Sequence, residues 1–103
     1  MTPSPIDFNG LDTAVHGPVR LGVLTLLQLH GPLDFTSLRK ALSVADGTLG
    51  QHLEKLEELG YVHATTLLEG RRPHTTYRLS AKGRKAFVDY LDSMRRLLDA
   101  IER

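Results

Sequence analysis

The sequence predicts a mainly α fold that carries one small β-hairpin and ends in a long amphipathic helix. Three observations carry that prediction. Two helical stretches, "DFTSLRKALS" and "DGTLGQHLEKLEE", are joined by a link of about four residues, a spacing typical of a helix-turn-helix. Two β-branched and aromatic segments, "YVHATTLLE" and "TTYRLS", flank the turn "GRRPH". Beyond them, apolar residues recur at steps of three and four from Phe87 to Ile101, the period of one helix face.

Each element has its own local reason. The first ten residues hold two prolines and no periodicity, and read as a loose arm. "LDTAVHG" can form a short helical turn. Pro18 suits the first position of a helix, where an N–H would have no partner. The following "PVRLGVLTLLQLH" is apolar on most sides, with Val19, Leu21, Val23, Leu24, Leu27 and Leu29, and Gly31 stops it. Asp34 is placed to cap the next helix, whose face is Phe35, Leu38, Ala41 and Leu42, and the helix ends near Ser43. "SVAD" makes the link, with Asp46 expected as the next N-cap. Leu49, Leu53, Leu56 and Leu59 give that helix its core face, and Gly60 suits its C-terminal left-handed position. Ser80 caps the last helix, in which Phe87, Leu91, Met94, Leu98 and Ile101 form a seam of about two heptads.

The 103 residues, 41% of them hydrophobic, suffice for one small domain and leave no room for two. A core this modest gains from association with a second copy. The absence of cysteine excludes disulfides and thiolate chemistry. No run approaches the ~18 apolar residues of a membrane helix, so a soluble, cytoplasmic protein without membrane contact is expected. The net charge is only +1, but Gly70 to Val88 contains Arg71, Arg72, Arg78, Lys82, Arg84 and Lys85 and no acid. The charge is lopsided although its sum is near zero.

In this order, "PVRLGVL", "DGTLGQHLEKLEELGYV" and "GRRPHTTYRLSAKGR" resemble winged helix-turn-helix transcriptional regulators of the short, single-domain MarR/ArsR-like kind, over about Leu11 to Leu91. The resemblance implies a flexible arm (1–10), a DNA-binding domain (11–80) and a dimerisation helix (81–103). It makes Asp46–Leu59 the recognition helix and Gly70–Thr75 the wing tip. The first would enter the major groove while Arg71 and Arg72 lie over the minor groove or its phosphates. Gly50 stands where relatives often carry serine, which permits close approach but removes a hydroxyl. The lack of cysteine also removes the thiolate metal sensor of some ArsR-like members.

The residues of the second helical stretch agree with such a role. Thr48 and Gln51 can exchange hydrogen bonds with base edges, and glutamine matches the N6/N7 edge of adenine. His52 adds a donor, and Lys55, a turn later, suits a phosphate. Arg71, Arg72 and His74 belong to the wing; Arg39 and Lys40 are candidate phosphate contacts. Lys82, Arg84 and Lys85 open the last helix, where the helix dipole disfavours cations, a hint of a nearby phosphate. The plainer reading makes all of these solvated surface residues, with the arginines guarding a strand edge. Leu91, Met94, Leu98 and Ile101 are expected in a homodimer interface, helped by Leu11–His16.

Other classes fit poorly. The five histidines, at 16, 30, 52, 63 and 74, never recur at metal-ligand spacing, and no cofactor is indicated. No nucleophile–base pair or phosphate loop is present, and Glu57 and Glu58 diverge on their helix. An enzyme is not expected. A sequence-specific regulator of double-stranded DNA, acting as a repressor, is; the alternative is a winged-helix protein-interaction module without DNA binding. A groove beside the last helix could take a small apolar effector, but no residue identifies one.

Overall fold

A computed structural model describes residues 12–102 of the chain. The arm, Leu11 and Arg103 lie outside the described residues. The elements run α1 (Pro18–His30), β1 (Leu33–Asp34), α2 (Phe35–Leu42), α3 (Asp46–Glu58), β2 (Val62–Glu69), β3 (Arg72–Leu79) and α4 (Ala81–Glu102). The strands form one antiparallel sheet in the order β1-β3-β2.

Before α1, Asp12 organises a turn. Its carbonyl accepts from the N–H groups of Val15 and His16, and its side chain accepts from the Ala14 N–H at 2.8 Å. Val15 is thereby driven into the core, fully buried. Two tyrosines hold the turn from outside. Tyr61 Oη donates to Asp12 Oδ2 at 2.8 Å, and Tyr90 Oη pairs with His16 Nδ1 at 2.7 Å. Burial first, and the Asp12 carboxylate second, holds the Tyr61 phenol above its ordinary pKa.

Pro18 does open α1, and Gly31, at φ 78°, closes it. Val23, Leu24 and Leu27 form its buried line. Leu29 does not share it: it stands 71% exposed, about 200° around the helix from Leu27. Asp34 caps α2 as expected, with Oδ1 accepting from the Ser37 N–H at 2.7 Å. Leu38 is buried, while Ala41, expected beside it, is exposed.

The link is Ser43–Val44–Ala45, with Ser43 in the left-handed region at φ 53°. Asp46 is not the N-cap of α3. The Leu49 N–H already bonds to the Ala45 carbonyl, so Ala45 is the cap and Asp46 lies inside the first turn. There its charge still favours the helix dipole, and its carboxylate meets Arg39 Nε at 3.2 Å. At the other end Gly60, φ 75°, donates to the Glu57 carbonyl while Tyr61 donates to that of Leu56, the paired bonds of a Schellman motif.

The hairpin is tighter than "GRRPH" suggests. Only Gly70 and Arg71 form the turn, and Arg72, Pro73 and His74 already belong to β3. A glycine at positive φ (63°) first in a two-residue turn matches the twist of the strands it joins. The short strand β1, absent from the sequence expectation, pairs Leu33 with Tyr77 and Asp34 with Thr76.

The start of α4 is locked to the start of β2. The Ser80 N–H donates to the Tyr61 carbonyl at 3.0 Å, and its hydroxyl lies 2.5 Å from the Gly60 carbonyl and 3.0 Å from that of Tyr61. The same oxygen accepts from the Gly83 N–H at 2.9 Å, capping the helix. Gly83 is buried so close beneath Tyr61 that an added Cβ would collide with the Tyr61 carbonyl. Gly83→Ala is therefore expected to destabilise the fold by about 1–3 kcal/mol, read as a lower urea midpoint with an unchanged slope.

Along α4, Phe87 and Tyr90 are buried and Met94 packs partly against the same core. Met94, which the sequence places in a dimer interface, is thus partly covered by its own core. Leu91 is 39% exposed. Leu98 (51%) and Ile101 (69%) extend past the body.

Candidate nucleic-acid interface

The core face of α3 fixes what its other face presents. With Leu49, Leu53 and Leu56 almost completely buried, Gly47, Thr48, Gln51 and Lys55 are exposed, and Gly50 and His52 are half-buried at the flanks. A Cβ added at Gly47 or Gly50 would touch nothing within 4 Å. The glycines leave this surface low and open, with Thr48 and Gln51 as its hydrogen-bonding groups. The acids Glu54, Glu57 and Glu58 are exposed later along the same helix.

His52 is held, not free. Arg20 on α1 donates through Nε to His52 Nδ1 at 3.0 Å, and through Nη1 to the Ala14 carbonyl at 3.4 Å. Accepting that bond requires an unprotonated Nδ1, so in this contact the neutral ring carries its proton on Nε2. Arg20 thus connects the N-terminal turn, α1 and the flank of α3. Sequence reading did not single it out, although a lone cation within the apolar run "PVRLGVL" is a usable signal.

The other basic residues divide into two groups. Lys40, Arg71 and Arg72 are exposed, the latter two at the hairpin tip. Arg39 is paired with Asp46, although at 37% and 77% side-chain exposure this pair adds little stability. His74 faces inward along the sheet, with Nε2 3.4 Å from Asp34 Oδ2. It therefore ties the wing to the start of α2 and does not extend from the tip. Lys85 reaches Asp89 at 2.8 Å, a hydrogen bond that raises its pKa, and the Lys82 ammonium sits 5.7 Å from the Tyr61 ring centre. Those internal partners account for two of the three cations that open α4 without a phosphate.

Among the described residues, no group of three or more His, Asp or Glu side chains is arranged to hold a metal, and no helix is long and apolar enough to cross a membrane. A shallow groove of about 480 Å³ lies along the first turns of α4, lined by Leu79, Arg84, Lys85, Val88 and Asp89 among others.

A helix-turn-helix whose second helix shows an open polar face, beside a two-stranded ribbon tipped by arginines, defines a winged helix. The comparisons agree. The profile of the winged helix DNA-binding domain matches residues 19–98. An uncharacterized protein of Methanocaldococcus jannaschii is 36% identical over 84 residues, covering 82% of this chain and 91% of that protein. An HTH-type transcriptional regulator of the same organism is 31% identical, covering 82% and 85%. Among solved structures, a transcriptional regulator homologue from Pyrococcus horikoshii superimposes with a TM-score of 0.84 at 24% identity, over 92% of this chain and 95% of that one. The chain belongs to the winged-helix DNA-binding domain family, as a transcriptional regulator of the helix-turn-helix type.

The α2 cap gives a pH dependence. Hydrogen bonds from Ser37, aided by His74 and Lys40, hold the Asp34 carboxyl below its ordinary value of 3.8. A carboxyl with a lowered native pKa contributes stability that is complete above the unfolded value and fades as pH falls through the native one. Asparagine can cap but cannot ionise. The stability gap between wild type and Asp34→Asn is therefore expected at pH 6 and to shrink below about pH 4, as measured by urea unfolding across that range.

Proposed function

We propose that this chain is a sequence-specific repressor of transcription that binds double-stranded DNA as a homodimer in the cytoplasm. The observation that carries the reading is the outer face of α3, where exposed Thr48 and Gln51 each follow a glycine with open space above it. In a major groove such a face brings the backbone close to the bases and leaves Gln51 free for a paired contact with adenine. Thr48 and the Nε2 proton of His52 serve neighbouring acceptors, and Lys55 serves a phosphate. Arg71 and Arg72 engage the minor groove or its rim, with Lys40 and Arg39 as outlying phosphate contacts and His74 bracing the wing.

The α4 stripe supports the dimer. Leu91, Leu98 and Ile101 are exposed along one end of a 22-residue helix, and pairing with the same helix of a second copy would cover them. Met94, already half-covered by its own core, borders that interface. The unit 81–103 then joins two copies of the body 11–80, and their recognition helices meet half-sites roughly 10 base pairs, or a multiple, apart. Occupancy of a promoter by such a dimer blocks transcription sterically. The net charge of +1 and the acids late in α3 favour a different reading, a protein-interaction module.

Selection from random duplex DNA at low and moderate salt separates the two. A palindromic motif with a steep salt slope is expected; no retention at low salt would favour the protein-interaction module. Gln51→Ala is expected to relax preference at one base position, with a loss of about 1–3 kcal/mol on the preferred site. Arg71→Ala should weaken all sequences alike and reduce the salt slope by about one. Leu98→Asp is expected to convert the dimer to monomer in sedimentation and to abolish cooperative binding to two half-sites.

A further inference from the structure

Two of the most exposed apolar side chains in the described chain sit together, far from α4. Leu67 is 66% exposed and Leu68 74% exposed, near the end of β2. As successive strand residues they point to opposite faces of the ribbon, Leu67 beside His74 and Leu68 beside Pro73. No tilt of the hairpin against its own body can cover both. Below them a hydrogen bond of 2.9 Å between the Thr66 and Thr75 hydroxyls joins the strands. Above them come the two-residue turn and the exposed Arg71 and Arg72. The nearby acid, Glu69, stands opposite Arg72 in the register.

We infer that Leu67 and Leu68 are DNA-contacting residues that pack against deoxyribose in the walls of the minor groove; the inference rests on the wing placement proposed above. Charge complementarity selects this occupant. Two guanidiniums at the tip seek an anion, and the minor groove offers phosphates at its rim and C–H surfaces of sugar along its walls. The groove is only ~6 Å wide and the strands of a ribbon are ~4.8 Å apart before side chains are counted. Across its two faces, side chains included, a ribbon is ~10 Å thick, too thick to sink between the walls. The backbone therefore stays at the rim, and Leu67 and Leu68, one on each face, meet the sugars of the two strands that border the groove. The arginines supply charge, and the leucines bury apolar surface independently of sequence.

The test is titration of Leu67→Ser, Leu68→Ser and Leu68→Met into a labelled random-sequence duplex of about thirty base pairs at several salt concentrations. Thermal melting and sedimentation run alongside. Each serine variant should bind roughly tenfold more weakly, with the slope of log affinity against log salt unchanged, because no ion pair is lost. Leu68→Met, which keeps the apolar volume, should bind as wild type does. Serine variants that bind like wild type would overturn the inference. So would variants whose weaker binding follows a loss of dimer in sedimentation, which would make the leucines a self-association surface. A wild-type chain that holds no duplex at low salt would defeat the DNA-binding reading itself, and is thereby distinguished from failure of the leucine contact alone.

Discussion

The carbonyl of Tyr61 is the point on which the rest of the structure depends. It accepts from Ser80 where β3 gives way to α4, while the N–H of the same residue donates to the Leu56 carbonyl and closes α3 just before β2 begins. Gly83 lies directly beneath the Tyr61 carbonyl. The backbone of one residue thus fixes the exit of α3, the root of the wing and the direction of the last helix. The Tyr61 side chain reaches back to Asp12 at 2.8 Å, so the N-terminal turn is held to the same place. The hydroxyl of Ser80 satisfies a backbone carbonyl and a helix N–H together, which is why a polar residue 7% exposed is stable there.

From that junction α4 serves two environments in succession. Its first turns close the core with Phe87 and Tyr90, and its last turns project apolar side chains beyond the body. The change from one to the other falls near Met94, whose flexible side chain suits a position that is half inside. The wing divides in the same way. Its base is buried through Val62 and paired with β1, whereas its outer residues are exposed on both faces.

Much of this was legible in the sequence because local chemistry decided it. Pro18 opens a helix because it has no N–H to satisfy, and Asp34, Gly60 and Ser80 bound helices through their own backbone or side-chain bonds, each where expected. The exposed face of α3 followed from the spacing of its leucines. What sequence did not reveal depends on distant partners. β1 is two residues long and exists only because Tyr77 and Thr76 lie opposite it. Asp46 carries the right side chain for a cap, but the left-handed turn at Ser43 starts the helix one residue earlier. Periodicity alone places Ala41 inward, and it cannot say where the covering elements end. Gly83 looks like an ordinary glycine in a basic stretch until the Tyr61 carbonyl is above it.

Gly47 and Gly50 lower the intrinsic propensity of α3 by about 1 kcal/mol each relative to alanine. The helix persists because Leu49, Leu53 and Leu56 are buried almost completely, so its cohesion comes from one side alone. Its opposite side makes almost no demand on folding. Residues there can be exchanged over evolutionary time without threatening the scaffold, and larger side chains at the glycines would strengthen it. The architecture keeps a nearly blank surface available for rewriting while the interior stays unchanged.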